Sequence, residues 1–421
     1  MDVNVEYLSA RSWDASMAER LKWLRENDPV RWSDKDGVWL IARFEDIAYV
    51  SKHQDLFTSG QGVRPGGATK IGLIDEEEPR HAQLRGLINN GFTPRMVKNL
   101  EVVFRDITAE TLDAIANAGE CDFVEDIAVP LPLLLIAEMI GIRREDRQRF
   151  HHWSDSMISA DGNLDNPEIV ANAHAAFLEY STYVTEIIED RRQHPKDDLV
   201  SILTGAKDAG VLGTFGTTRL PGDEVSERHL SLANDELIML LVILMVAGNE
   251  TTRNAISGGM QLLIENPGER RKLIEDPSRI RMAVEEMVRL VSPVHSFGRT
   301  LTRDTELKGR CLLKGQQVLL LYPSANRDAD VFEDPDRFRI ERNPHHLGFG
   351  LGNHFCLGAN LARMEMRVAF EELLRRLPDM EYAEGGPVIK PSALVRNCER
   401  MRVRYTPERS RRADPTGTSS G

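Results

Sequence analysis

The stretch LIMLLVILMVAG at residues 237–248 lies inside a helical pattern running over 231–264 and narrows the possible folds more than any other part of the chain. A helix that is apolar all the way round has to be enclosed by protein. The run is too short to cross a bilayer, which takes about 20 apolar residues, so it belongs in the core of a large helical domain with no membrane span. A chain of 421 residues with 41% apolar and 28% charged side chains can bury such a core. Periodicity and good helix formers predict further helices over 95–117, 167–192, 268–291 and 359–377. VRWSDKDGVWLIAR reads as a hairpin turning at Asp34-Lys35-Asp36-Gly37, and TELKGRCLLKGQQVLLLYPSANRD as two short strands joined by Lys314-Gly315. The fold class is therefore mainly α with a minor β part. Neither a repeat nor a linker divides the chain, so one domain is expected over 1–407, followed by a disordered tail over 408–421 that lacks apolar anchors. Loops rich in Gly, Thr and Pro at 59–70 and 205–223 are expected to be mobile. The first thirty residues hold no signal-peptide core, which points to the cytoplasm.

The chain has four cysteines, at 121, 311, 356 and 398, and no CxxC pair, so neither a disulfide framework nor a four-cysteine zinc site is indicated. One of them stands in GFGLGNHFCLG (348–358), directly before a helical pattern. The glycines permit positive φ and close approach of the backbone to a partner. The positive end of the following helix favours a thiolate. From these residues alone Cys356 is a nucleophile with His354 as base, a zinc ligand beside His345, His346 and His354, or a ligand to a partner the sequence does not display. A formal net charge of −13 argues against nucleic-acid binding, which needs clustered basic charge.

Three further stretches carry polar residues where chemistry could use them. In AGNETTR (247–253), Gly248, Asn249 and two threonines sit inside the apolar helix and predict a local distortion there. Glu250 beside Thr251 could relay protons into a dry pocket; a glycine kink with a solvated glutamate is the plainer alternative. Glu286 and Arg289 lie three apart on one helix face, a spacing that by itself usually means a surface ion pair. His81 and Arg85 lie four apart and could grip an anion or simply face solvent.

Taken together and in this order, these stretches resemble the cytochrome P450 family of haem-thiolate monooxygenases over about residues 10–406. The most specific match is Phe349, Gly352, Cys356 and Gly358 at the spacing of the family's cysteine loop. AGNETT, Glu286-Met-Val-Arg289 and Pro335-Asp336-Arg337-Phe338 follow at compatible separations. The resemblance implies the P450 fold, a triangular prism with haem b (iron protoporphyrin IX) between the central helix and the helix after the cysteine loop. It implies Cys356 as the axial thiolate, which pushes electron density onto the iron. It implies His81, Arg85, Arg299 and His354 as propionate partners, and Ala247, Phe349 and Gly358 as residues against the haem. Glu286, Arg289 and Arg337 would form a structural triad. Thr251 and Glu250 would be the alcohol and acid that deliver protons during activation of O2. The implied reaction inserts one oxygen atom into a C–H bond. A non-catalytic haem-thiolate binding or gas-sensing protein is the reading from another class, and the acid and alcohol together speak against it.

No GxGxxG follows a strand, so electrons are expected from a separate ferredoxin and ferredoxin reductase that draw on NAD(P)H. Arg363, Arg367, Arg375 and Arg376 are candidates for a basic dock. By position the substrate pocket should draw on Met239, Leu240, Val294, Phe297, Leu394 and Val395, and their apolar character implies a lipophilic small-molecule substrate. The wording of the central and cysteine segments resembles actinobacterial members that oxidise steroids, branched lipids or terpenoids; a fatty acid or polyketide hydroxylase is the neighbouring alternative.

Overall fold

The structure is a computed structural model that describes residues 2–66, 72–91, 94–161, 163–196, 198–208 and 234–409. The apolar run forms the central helix Asn234–Glu265, and it is enclosed as its composition requires. Helices Pro130–Ile140, Arg147–Ser159, Pro167–Gln193, Ile280–Val291 and Ala359–Arg376 pack around it. Their apolar faces meet it in one core that includes Ile136, Tyr180, Leu241, Met245, Ile256, Met287 and Phe370. A Cβ on Gly259 would lie 2.6 Å from the Phe370 ring, so a small residue there is what lets the helix after the cysteine come this close. Among the described residues no helix is long and apolar enough to cross a membrane.

The predicted helices at 95–117, 167–192 and 359–377 appear as Pro94–Ile115, Pro167–Gln193 and Ala359–Arg376. The pattern over 268–291 divides into Pro267–Glu275 and Ile280–Val291. Asp276 precedes Pro277 and leaves the α region with φ −137° and ψ 85°; its carboxylate then accepts the Ser278 N–H at 3.2 Å to start the next turn.

Five strands form the main sheet in the order Val30–Ser33, Val38–Ile41, Gln317–Leu321, Ser296–Leu301, Phe57–Thr58. The first two are the expected hairpin, with Trp32 opposite Trp39 and the Gly37 N–H closing the turn on Ser33 O at 2.8 Å. The second β segment pairs differently from the expectation. Its hairpin turns at Lys308-Gly309, where φ is 51° and 75° as a two-residue turn requires, and joins Thr305–Leu307 to Arg310–Leu312. The run after Lys314-Gly315 instead enters the main sheet, parallel to Val38–Ile41 and antiparallel to Ser296–Leu301.

Order also continues past residue 407. The Glu408 N–H donates to Ala116 O at 2.9 Å, its carboxylate pairs with Arg376 at 2.7 Å, and the Arg409 N–H donates to Asn117 Oδ1 at 3.0 Å. Residues 410–421 of the expected tail, 209–223 of the expected loop and 67–70 of the earlier one lie outside the described residues; 205–208 end the helix Leu199–Asp208.

A buried polar knot fixes the segment leading to the cysteine loop. Glu286 and Arg289 are fully buried, and Arg289 Nε and Nη2 donate to the two carboxylate oxygens at 2.7 and 2.8 Å. Arg289 also donates to the carbonyls of Asn326 and Pro335, each at 2.7 Å, and lies over the Phe332 ring. The third member is Arg342, whose Nε donates to Glu286 at 2.9 Å, and not Arg337. The Arg337 side chain is exposed, and only its carbonyl joins the knot, accepting from Arg342 at 3.3 Å. The reason is local: Asp334 turns the chain at φ 45° and Arg337 N–H closes onto its carbonyl, which points that side chain outward. From the knot, Asn326 Oδ1 accepts the Leu347 N–H at 2.8 Å and hands the constraint to the loop.

Candidate active site

Gly350 and Gly352 take φ of 69° and 77°, so the loop does use the left-handed conformations its glycines allow. A Cβ on Gly352 would sit 2.3 Å from Ser51 O, so the loop is pressed against helix Phe44–Lys52. The Cys356 N–H donates to Phe349 O at 2.8 Å, and Phe349 is covered by the Arg363 guanidinium 4.4 Å from its ring centre. Cys356 is exposed although it lies deep among protein atoms, the mark of a side chain facing an internal cavity. Burial pushes its thiol up, against the Gly358 N–H and the charges of Arg85 and Arg363. The helix end and the two arginines favour the thiolate while burial opposes it, and a cation on the sulfur would add to the first.

His81, Arg85, Arg299 and His354 gather beside the cysteine. The His81 and His354 rings lie 4.3 Å apart, and His81 Nδ1 is 3.0 Å from Glu78 Oε1. Burial, then the charges of Arg299, His81 and Arg85, hold the His354 ring neutral, down to about 3. Burial lowers Arg299, which is only 4% exposed and donates to the neighbouring Gly298 carbonyl at 2.6 Å. It likewise lowers Arg85, where the sole opposing influence is Cys356. Among the described residues neither arginine has a carboxylate within ion-pair distance. A buried Arg299 beside a half-buried Arg85, with no carboxylate bonded to either, is costly, and the cluster fits a group that brings carboxylates of its own. No hydrogen bond joins His354 to Cys356, which removes the proposed base of a cysteine nucleophile. His346 pairs with Glu285 at 3.3 Å, and no group of three metal-ligating side chains converges among the described residues, so the zinc alternative also lapses.

The central helix has an open face: Ala247 is exposed and Thr251 partly so, although the helix is packed on its other sides. The predicted distortion is absent: helix continues through 247–253, with Thr251 Oγ1 donating to Ala247 O at 2.6 Å. Glu250 is 1% exposed and pairs with Arg253 at 2.8 Å. Burial pushes its carboxyl up to about 7, the charge of Arg253 opposing and Asp155 adding. Arg253 in turn meets Asp155 at 3.3 Å, and Asp155 is 57% exposed, so the buried acid is linked to solvent. A carbonyl bond leaves the Thr251 hydroxyl free to accept a hydrogen bond, and Glu250, next in sequence and turned toward Arg253, is an acid that holds its proton close to neutral pH.

The expected pocket residues divide. Val294 and Val395 meet in a β-bridge, the His295 N–H donates to Leu394 O at 2.7 Å, and the half-buried Phe297 packs edge-on to Tyr322. Met239 lies under Gly72 with Ile243, which belongs to the expected Met239 to Ala247 stretch and lies four residues before Ala247 on the same face. Leu240 is turned away from that face and packs in the main core. Free basic charge on the helix after the cysteine is also not found. Arg363 is held by Glu285, Arg367 by Glu101 and Glu371, Arg375 by Glu372, and Arg376 by Asp113 and Glu408. Burial would raise Glu285, but His346 and Arg363 outweigh it and hold the carboxyl down to about 2.

Comparison with known proteins agrees with this geometry. Residues 32–391 match the family Cytochrome P450. The chain is 36% identical to a steroid C26-monooxygenase of Mycobacterium tuberculosis over 389 residues, which cover 92% of this chain and 93% of that protein. It is 39% identical to a methyl-branched lipid omega-hydroxylase of Mycobacterium bovis, covering 83% and 80%. Among solved structures, a Mycobacterium marinum cytochrome P450 in complex with pseudoionone superposes with a TM-score of 0.83 at 33% identity, covering 95% of this chain and 98% of that one. The cysteine loop with two histidines and two arginines beside it, and the acid and alcohol on an enclosed helix, thus have their place in a known architecture, and the chain belongs to the cytochrome P450 family of haem-dependent monooxygenases.

Proposed function

We propose that this P450 hydroxylates a C–H bond of a steroid side chain or a branched lipid, with Cys356 as the residue that would ligate haem iron and with electrons from a separate ferredoxin and its reductase. The observation that carries the reading is an acid and an alcohol side by side in the central helix, Glu250 buried against Arg253 and Thr251 on the open face with Ala247, since a sensor needs no proton delivery. The names of the relatives and the apolar character of Met239, Ile243, Val294, Phe297 and Val395 support the substrate class. Bound haem would supply reduction of dioxygen and oxidation of the C–H bond. The chain's own part is to hold it by Cys356 and by His81, Arg85, Arg299 and His354 toward its propionates, to exclude water, and to bring protons to one side.

Thr251 fixes where those protons arrive, and Glu250 holds one close to neutral pH. Thr251→Ala is therefore expected to leave NAD(P)H consumption running while product per NAD(P)H falls about tenfold or more, within the usual range for removal of a proton-transfer group. Coupling that stays unchanged would remove the pair from the mechanism. The pH dependence has a definite sign. Glu250 carries its proton below about 7 and loses it above, so coupling should be highest on the acid side and decline as pH rises through about 7. Glu250→Gln should flatten that profile at a low level.

A further inference from the structure

Arg64 ties together three segments that are remote in sequence. Its Nη1 donates to Ser296 O and Oγ, each at 3.2 Å, at the start of the strand that continues to Phe297 and Arg299. Its Nε and Nη2 donate to both oxygens of Asp161, at 2.7 and 2.6 Å, just past the end of helix Arg147–Ser159. That helix also reaches the central helix, through Ser154 with Asn249 and Asp155 with Arg253. The Arg64 neighbourhood is continuous with the pocket segments: Val63 O accepts the Gly298 N–H at 2.7 Å, and a Cβ on Gly298 would touch Pro65 at 2.8 Å. Arg64 and Asp161 are 13% and 17% exposed, so the pair is largely out of water, unlike the other pair of this loop, Arg11 with Asp165, at 80% and 62%.

A guanidinium placed there is well suited to hold a carboxylate on a lipophilic chain, since its planar fork matches two oxygens. Asp161 already occupies that fork in bidentate fashion. We propose that Asp161 is a specificity-determining residue: by occupying Arg64 beside the strand that lines the pocket, it withdraws a cation that would otherwise hold a substrate carboxylate, and the pocket takes uncharged lipids in preference to acids. The proposal rests on the lipophilic-substrate reading above and narrows it. A substrate acid must displace an internal carboxylate to reach Arg64 and also bring its own charge next to Asp161. An alcohol or ester of the same chain pays neither penalty.

The test is a spin-state titration of the haem-loaded full chain with matched pairs, hexadecanoic acid against hexadecanol and a steroid side-chain acid against its alcohol, at a pH where the acids are ionised. Wild type should bind the alcohol of the responding pair more tightly. Asp161→Asn keeps the shape and removes the charge, and should shift the acid-to-alcohol preference toward the acid by about tenfold to a hundredfold, the range of a charged hydrogen bond. Adding Arg64→Ala to Asp161→Asn should erase that shift. A wild type that already prefers the acid, an Asp161→Asn ratio that does not move, or a shift that survives loss of Arg64 would each overturn the proposal. Equal changes for acid and alcohol would also overturn it, because the pair would then only fasten two segments. A chain that keeps its reduced CO spectrum but responds to no pair in any variant overturns the lipophilic-substrate reading itself.

Discussion

Cys356→Ala is expected to abolish the thiolate-type absorption band of the reduced, CO-bound protein and to bring product formation below detection. The loss should be complete because no other sulfur can replace it. Cys121 and Cys398 are buried in the core, and Cys311 lies on the Arg310–Leu312 strand of the small surface hairpin. The effect should also be separable from damage to the fold. The loop is held by backbone bonds that do not involve the sulfur, Cys356 N–H to Phe349 O at 2.8 Å and Leu347 N–H to Asn326 Oδ1 at 2.8 Å, so helical content should persist in the variant. Arg299→Ala offers the contrast. It removes a buried cation and leaves the sulfur, so the thiolate band should remain while haem is lost more readily to an acceptor. If Cys356→Ala kept the band, the ligand would have to be sought elsewhere in the chain.

What could be read from sequence and what could not divides along a physical line. The central helix, the cysteine loop and the acid–alcohol pair were legible because local pattern dictates them: an apolar circumference, glycines at left-handed positions, and residues adjacent in sequence. The burial that opposes the thiolate was not legible, because the helix end is local and visible while burial comes from remote elements. The same holds for the arginines after the cysteine. Glu371 and Glu372 stand close by in sequence, but Glu101, Glu285, Asp113 and Glu408 reach them from other elements, and those partners turn an apparent basic face into ion pairs. Arg64 and Asp161 lie far apart in the chain and match no short motif, so only the fold brings them together. Lys308-Gly309 and Lys314-Gly315 carry the same turn chemistry, and which of them closes a hairpin is settled by where the following strand finds its neighbours.

The largest stability effect should come from the polar knot behind the loop. Glu286 has zero exposure and accepts from two guanidiniums, Arg289 at 2.7 and 2.8 Å and Arg342 at 2.9 Å, as well as from the Arg339 N–H at 3.2 Å. Glu286→Ala strands two buried or nearly buried cations, and breaking a buried pair in that way costs about 3–5 kcal/mol, against a total of about 5–15 kcal/mol for a typical domain. Denaturant unfolding should therefore shift strongly, and haem content on purification should fall, because the knot positions the segment that runs through Asn326 and Leu347 into the loop. The arginines should then rank by their contacts rather than by their place in the Pro335-Asp336-Arg337-Phe338 motif. Arg342→Ala removes one partner of Glu286 and its bonds to the carbonyls of Glu333 and Asp334, at 2.7 and 3.2 Å, and should cost about 1–3 kcal/mol. Arg337→Ala trims an exposed side chain and keeps the carbonyl that the knot uses, so it should stay within about 0.5 kcal/mol of wild type. Equal losses for the two would return Arg337 to the triad; the expected order instead assigns the motif's arginine to the surface and the structural role to the residue five positions on.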